Sequence, residues 1–162
     1  MNDLIFPNLI ELSAFDGNFE KYNAAVYEIF KSDFVIQKPI FQGKRLNLKS
    51  HPYIDNKEYT YYHFTHSGDI ENERVPDLRR MERIRFPKPM INSSYSKNLK
   101  VWRNKRGTKN RILIFCEKEK YLVILEDRKN YILPWTAYYL EHDNRIKKLR
   151  KEYEKYIKTE TA

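Results

Sequence analysis

The spacing of apolar residues changes character several times along the chain. In DGNFEKYNAAVYEIFKSDF, Phe19, Tyr22, Val26, Ile29 and Phe30 recur at helical intervals, which predicts an amphipathic helix with an aromatic core face and Asp16 or Asn18 as its cap. Between residues 38 and 57 the periodicity lapses. Pro39, Gly43, Pro52 and the Asp55-Asn56 pair predict loop, with one short strand near Ile40 and Phe41. EYTYYHFTH, residues 58–66, then alternates with period two and is rich in aromatic and β-branched residues, so it reads as a strand. That strand places Tyr59, Tyr61 and His63 on one face and ends in a turn at His66-Ser67-Gly68-Asp69, with His66 exposed at its mouth.

Further on, PDLRRMERI predicts a helical turn or two, after which Pro87 and Pro89 impose extended backbone. From Arg111 the pattern is of three apolar strands, 111–116, 121–126 and 130–139, separated by short charged turns, which is an antiparallel meander. Pro134 predicts a bend or bulge that re-aims Trp135 to Tyr139. HDNRIKKLRKEYEKYIK predicts a closing helix capped by His142 or Asp143, with Ile146, Leu149, Tyr153 and Ile157 toward the sheet. Arg145, Lys147, Lys148, Arg150 and Lys151 form its other face. The expected fold is α+β: an antiparallel meander sheet packed with an N-terminal helix and a C-terminal basic helix. One domain is expected over residues 1–162, with an N-terminal helical part to about residue 57 and the sheet and last helix over about 58–158.

Composition narrows the picture. A chain of 162 residues can bury a sizeable core, and 13 Tyr with only 4 Gly argue against a disordered basic tail. The single Cys116, inside ILIFC, reads as a buried inert thiol in a reducing compartment. No apolar run reaches membrane-spanning length and MNDLIFPNLIELS carries no basic leader, so a cytoplasmic protein with no membrane partner is expected. Charge is concentrated. From Arg74 to Arg111 there are 13 basic and 2 acidic side chains, a net +11 that exceeds the whole chain's +9. Such a field attracts polyanions. Phe86, Tyr95 and Trp102 interleave with it, and aromatic rings beside cations are what unpaired bases stack on. The residues expected to bind single-stranded or structured RNA are Arg79, Arg80, Arg83, Arg85, Lys88, Trp102, Arg103 and Arg106.

Metal-free RNA cleavage needs a base for the 2′-OH, an acid for the 5′-oxygen and a cation for the phosphorane. His63 and His66, Arg111, Thr136 and Tyr138 supply these chemistries at predicted strand ends. His63, His66 and Asp69 have metal-ligand spacing, but no second cluster completes the set and the two imidazoles point to opposite strand faces; no metal or cofactor is expected. Cys116 lacks the electropositive setting of a nucleophile. The isolated glycines match no phosphate-binding loop, which argues against nucleoside triphosphate chemistry.

The ordered pieces HFTHSGD, RVPDLRRMERIRFPKPMI, WRNKRG, RILIF and YLVILEDRKNYILPWTAYYLEHDNRIKKLRKEYEKY resemble phage-type members of the barnase/EndoU/colicin/RelE-like (BECR) nuclease superfamily, over roughly residues 19–157. The resemblance implies a metal-independent ribonuclease of toxin or phage type, with a helical part packed on a four-stranded antiparallel sheet. It implies tRNA or other structured RNA as substrate and an immunity or antitoxin protein as partner. It carries the family's strand histidine onto His63, its central-strand basic residue onto Arg111, and its Thr-Ala-Tyr element onto Thr136 and Tyr138. Phe86 stands where relatives have Trp, and Pro134 replaces a Leu, which leaves the aim of Thr136 open. Two readings from other classes use the same basic patch: a non-catalytic RNA- or DNA-binding regulator, and a phage-type inhibitor that docks an acidic protein.

Overall fold

The computed structural model describes residues 4–161; Met1 to Asp3, the start of the stretch read as leaderless, and Ala162 lie outside them. The N-terminal helix α1 (Phe19–Phe30) is capped by Asn18, whose side chain accepts from the Lys21 amide, and continues as a wider π-type turn, Lys31–Ile36. A small hairpin follows, β1 (Ile40–Phe41) and β2 (Lys44–Arg45).

The segment expected as a strand is instead a helix, α2 (Tyr59–Thr65), and every one of its residues is buried. Aromatic and β-branched residues favour strands by packing on a half-buried pleated surface. Here they are enclosed on all sides, and the Thr65 hydroxyl donates back to the Tyr61 carbonyl at 2.7 Å. Tertiary packing has overridden propensity. One consequence is that His63 lies in the last turns of a helix while His66, just past its end, is extended at the start of the next ladder, so the two are not on opposite faces of one ribbon.

After α2 the chain forms a short ladder, β3 (His66–Ser67) with β4 (Val75–Pro76), enclosing a 3₁₀ turn, Glu71–Glu73. Two short helices follow, α3 (Leu78–Glu82) and α4 (Pro87–Asn92). Contrary to expectation, Pro87 and Pro89 open a helix: they sit in its first turn, where no amide is needed.

The sheet is an antiparallel meander in the order β5 (Lys100–Arg106), β6 (Lys109–Cys116), β7 (Tyr121–Asp127), β8 (Ile132–Tyr139). Strand β5 lies within the basic stretch and had no expected counterpart. Ile124 pairs with Thr136 and Leu125 with Pro134, so Trp135 is the extra residue of a bulge, as the proline predicted. The last helix, α5 (Asp143–Thr161), begins with His142 in the cap position, its carbonyl accepting from the Ile146 amide.

Each sheet face carries its own core. Ile112, Ile114, Val123 and Leu125 pack against Tyr22, Phe30, Phe34 and Phe64 of the helical layer, while Leu113, Phe115 and Leu122 pack against Ile146 and Leu149 of α5. Ile157, expected to face the sheet, is 38% exposed because it lies on the last turns of α5. Cys116 is buried, and burial raises its thiol pKa. Among the described residues no helix is long and apolar enough to cross a membrane.

Tyr61 joins α2 to α1, with its ring edge-on to Phe30 and its hydroxyl donating to Asn23 Oδ1 at 2.6 Å. In urea denaturation, Tyr61→Phe should cost about 0.5–1.5 kcal/mol and Phe30→Ala about 3–5 kcal/mol. Ile157→Ala should stay within about 0.5 kcal/mol.

Candidate active site

A seven-residue helix is too short to hold itself together, and its last carbonyls have no partners within it. Arg80 supplies them. One guanidinium nitrogen donates to the His63 carbonyl at 2.9 Å and to the His66 carbonyl at 2.8 Å, and lies 3.4 Å from Thr136 Oγ1. The Thr136 hydroxyl itself donates to the His63 carbonyl at 3.0 Å. The end of α2 is thereby fixed against the β8 edge at its bulge. The unpaired Trp135 is turned onto the His63 imidazole, 4.9 Å between ring centroids.

His63 is 3% exposed. Its Nε2 lies 2.6 Å from Glu71 Oε1, a carboxylate oxygen that also receives the Tyr59 hydroxyl. The second carboxylate oxygen is 3.4 Å from the Arg74 guanidinium. Facing an acceptor, Nε2 carries the proton of the neutral ring and leaves the lone pair on Nδ1. Burial holds the imidazole pKa below its ordinary value; Glu71 opposes this and Arg74 reinforces it. For Glu71 burial raises the pKa, but Tyr59, His63 and Arg74 outweigh it and leave the carboxyl below its ordinary value.

His66 diverges from this cluster. Its Nδ1 is 2.9 Å from the Thr65 hydroxyl, which already donates to Tyr61, so Nδ1 carries the proton and Nε2 is the open acceptor. Its ring lies tilted against Tyr62, 4.7 Å between centroids, and lines a separate small cavity of about 90 Å³ with Asp55, Lys57 and Tyr61. Burial lowers its pKa as well. Among the described residues no three His, Cys, Asp or Glu side chains gather as a metal ion would require, so His63, His66 and Asp69 form no ligand set.

The other candidates fall on either side of Trp135. The Arg111 guanidinium and the Lys109 ammonium lie over its ring at 5.5 and 5.3 Å. Tyr138 takes the Arg80 guanidinium over its ring at 5.1 Å and opens onto a groove of about 220 Å³ lined by Arg79, Tyr139, His142 and Arg145 and also by the carboxylates of Asp77 and Glu141. Four of the five sequence candidates, His63, Arg111, Thr136 and Tyr138, thus lie around the α2–β8 junction, while the ring of His66 is turned away.

The expected RNA-binding set divides. Arg79, Arg103 and Arg106 are exposed, and Lys88 is half-buried. Arg80 is committed to α2, Arg83 lies over the Tyr139 ring and donates to the Arg79 carbonyl, and Arg85 donates to the Asn8 carbonyl. Trp102 is 1% exposed, with Nε1 donating to Glu152 at 2.5 Å, and Phe86 is buried, so neither can stack on a base. Tyr95 is exposed.

Glu71, Arg74, Tyr59 and Trp135 had no assigned role. Tyr59, Tyr62 and His63, three and four apart, share one side of α2, but a helix buried on every side shows no polar face in the sequence, and Glu71 and Arg74 reach it only through the fold-back that follows. No family model, curated protein or solved structure matches this chain.

Both imidazoles should titrate below the ordinary value of about 6.5 in an NMR pH series. A folded-state pKa lowered this way means that the unfolded chain takes up protons first. The stability each neutral ring contributes is therefore present above about pH 6.5 and is lost as pH falls toward the folded-state pKa. A His63 titration above the ordinary value would contradict this account.

Proposed function

We propose that the protein is a metal-independent endoribonuclease of toxin or phage type, acting on structured RNA such as tRNA by attack of a 2′-OH on the adjacent phosphate. The observation that carries this reading is the convergence of an imidazole, a guanidinium and a phenol, His63, Arg74 and Tyr59, on one anion position held by the Glu71 carboxylate, beside an open groove lined by Arg79, Arg145 and the Tyr138 and Tyr139 rings together with Asp77 and Glu141. In the proposed reaction the His63 imidazole removes the 2′-OH proton and Arg74 balances charge on the phosphorane. Trp135, flanked by Lys109 and Arg111, stacks on a base beside the scissile bond. Arg79 and Arg145 hold neighbouring phosphates along the groove. The bond formed joins the 2′-oxygen to phosphorus; the bond broken releases the 5′-oxygen, which takes its proton from the Tyr59 hydroxyl and leaves as an alcohol; the His63 imidazolium returns its proton through solvent to the phenolate, and the product is a 2′,3′-cyclic phosphate. The four-stranded meander with helices on both faces supports the nuclease resemblance, as does the placement of Thr136 against His63 despite Pro134. An immunity or antitoxin protein remains the partner that this reading implies.

One observation favours a non-catalytic RNA-binding regulator: the His63 ring is almost fully enclosed, while the Arg79–Arg145 groove is open to solvent and suits phosphates without any chemistry.

Purified protein in excess EDTA should cut total RNA to fragments ending in 2′,3′-cyclic phosphate. His63→Ala should lower turnover by about 10² to 10⁴, far more than it weakens RNA affinity. Intact RNA alongside tight binding would leave the regulator.

Affinity should fall steeply with salt. Arg79→Ala should reduce the log-log salt slope by about 0.7–0.9, whereas Arg85→Ala, whose guanidinium is held by the Asn8 carbonyl, should change it little.

A further inference from the structure

We infer that Tyr59, His63 and Arg74 form a binding site for a backbone phosphate, and that the chain's own Glu71 carboxylate fills it in the resting protein. This rests on the nuclease reading and adds to it a built-in competitor for the substrate.

The three donors and their occupant differ in how they are held. Tyr59 and His63 belong to buried α2, and their side chains are fixed by ring contacts with each other and, for His63, with Trp135. Glu71 arrives from outside, on the exposed 3₁₀ turn Glu71–Glu73, and its side chain is 45% exposed. That turn has little apolar anchorage, for the neighbouring Ile70 is 60% exposed. Besides the carboxylate contacts, the turn is tied down through the Tyr62 hydroxyl, which donates to the Glu71 carbonyl at 2.8 Å. It springs from Gly68, whose φ of +145° and whose closeness to the Arg74 backbone, 3.3 Å from where a Cβ would sit, both call for glycine. Arg74 follows the turn directly, and its guanidinium is tied back by donating to the His66 carbonyl at 3.4 Å, so the donors stay in place while the anion is removable.

The donor set also exceeds what the carboxylate uses. Glu71 Oε1 takes the Tyr59 hydroxyl and His63 Nε2, and Oε2 faces an Arg74 terminal nitrogen, while Arg74 Nε is buried with no hydrogen-bond partner. A tetrahedral phosphate presents its oxygens in more directions than a planar carboxylate and carries comparable charge, so it can take up the idle N–H. The enclosure of His63 then follows from its being capped by a mimic. A tethered carboxylate acts at an effective concentration in the millimolar range, about what keeps out free phosphate. RNA gains additional contacts in the Arg79–Arg145 groove and on Trp135, and these help it to displace Glu71.

The test compares wild type with Glu71→Gln and Glu71→Ala, whose exposed position on a surface turn spares the fold. Inorganic phosphate is titrated while the His63 side-chain NMR signals are followed, and RNA cleavage in EDTA is timed in parallel. Removing the competitor should tighten phosphate binding by about tenfold or more in Glu71→Ala, because the open state no longer shares its population with a self-bound one. Adding Arg74→Met to that variant should abolish the gain. RNA cleavage should speed up in Glu71→Ala, with Glu71→Gln in between. Unchanged phosphate affinity in Glu71→Ala overturns the inference. So does a wild type that cuts RNA while Glu71→Ala cuts it more slowly, since Glu71 would then work in the reaction and the nuclease reading would stand. If no form cuts RNA but Glu71→Ala gains phosphate affinity, the anion site stands and the nuclease reading fails.

Discussion

The arrangement around His63 depends on one guanidinium. Arg80 reaches from α3 under the end of α2, satisfies two carbonyls that a short helix leaves open, and approaches the Thr136 hydroxyl on the next layer. A buried carbonyl left unpaired costs about 1–3 kcal/mol, so these acceptors fix the position of α2 far more firmly than its propensity does. A cation at a helix C-terminus is also favoured by the helix dipole. Burial lowers the Arg80 pKa, and the nearby Asp77 carboxylate opposes that shift. The residue is thus a structural hub within a stretch whose charge suggests solvent and RNA.

From that fixed point the rest of the site follows. The β8 edge needs cover, since an open edge strand pairs readily with other chains, and α2 supplies it. The bulge that turns Trp135 toward His63 needs a partner ring, and α2 supplies that as well. His63 gains a carboxylate on Nε2 because the chain leaving α2 doubles back through the β3–β4 ladder and brings Glu71 and Arg74 beside it. At the other end of the sheet Glu117 performs a similar service for α5. Arg150 and Lys100 both hydrogen-bond to it and hold its carboxyl down to about 2, so the last helix is anchored at the β6–β7 turn, away from the candidate site.

What the sequence revealed depended on whether an element has one buried face, two, or is enclosed. Strands β6 and β7 are buried on both faces and read as unbroken apolar runs, and α1 has one aromatic face, so these were legible. Helix α2 is enclosed all round; without a polar face it has no helical period, and its Tyr, Thr and Phe residues point toward strand. Edge strand β5 has only Val101 and Trp102 as apolar residues among exposed cations, so its alternation was hidden in a charge run. The charge itself was legible, but its direction was not: Arg80, Arg83 and Arg85 are turned inward by carbonyls and a ring that lie far away in sequence or across a turn. The carboxylate opposite His63 was invisible for the same reason, since only the fold-back after α2 brings Glu71 within reach.

The central claim is that RNA docks at the α2–β8 junction. The direct measurement is amide and side-chain shift mapping with a 2′-O-methyl RNA, which can bind but has no free 2′-OH to attack. The account predicts that perturbations centre on His63, Arg74, Trp135 and the Arg79–Tyr138–Arg145 groove, with His66 less affected. Perturbations confined to the exposed cations of the β5–β6 hairpin or of α5, leaving the His63 and Trp135 signals unmoved, would contradict it.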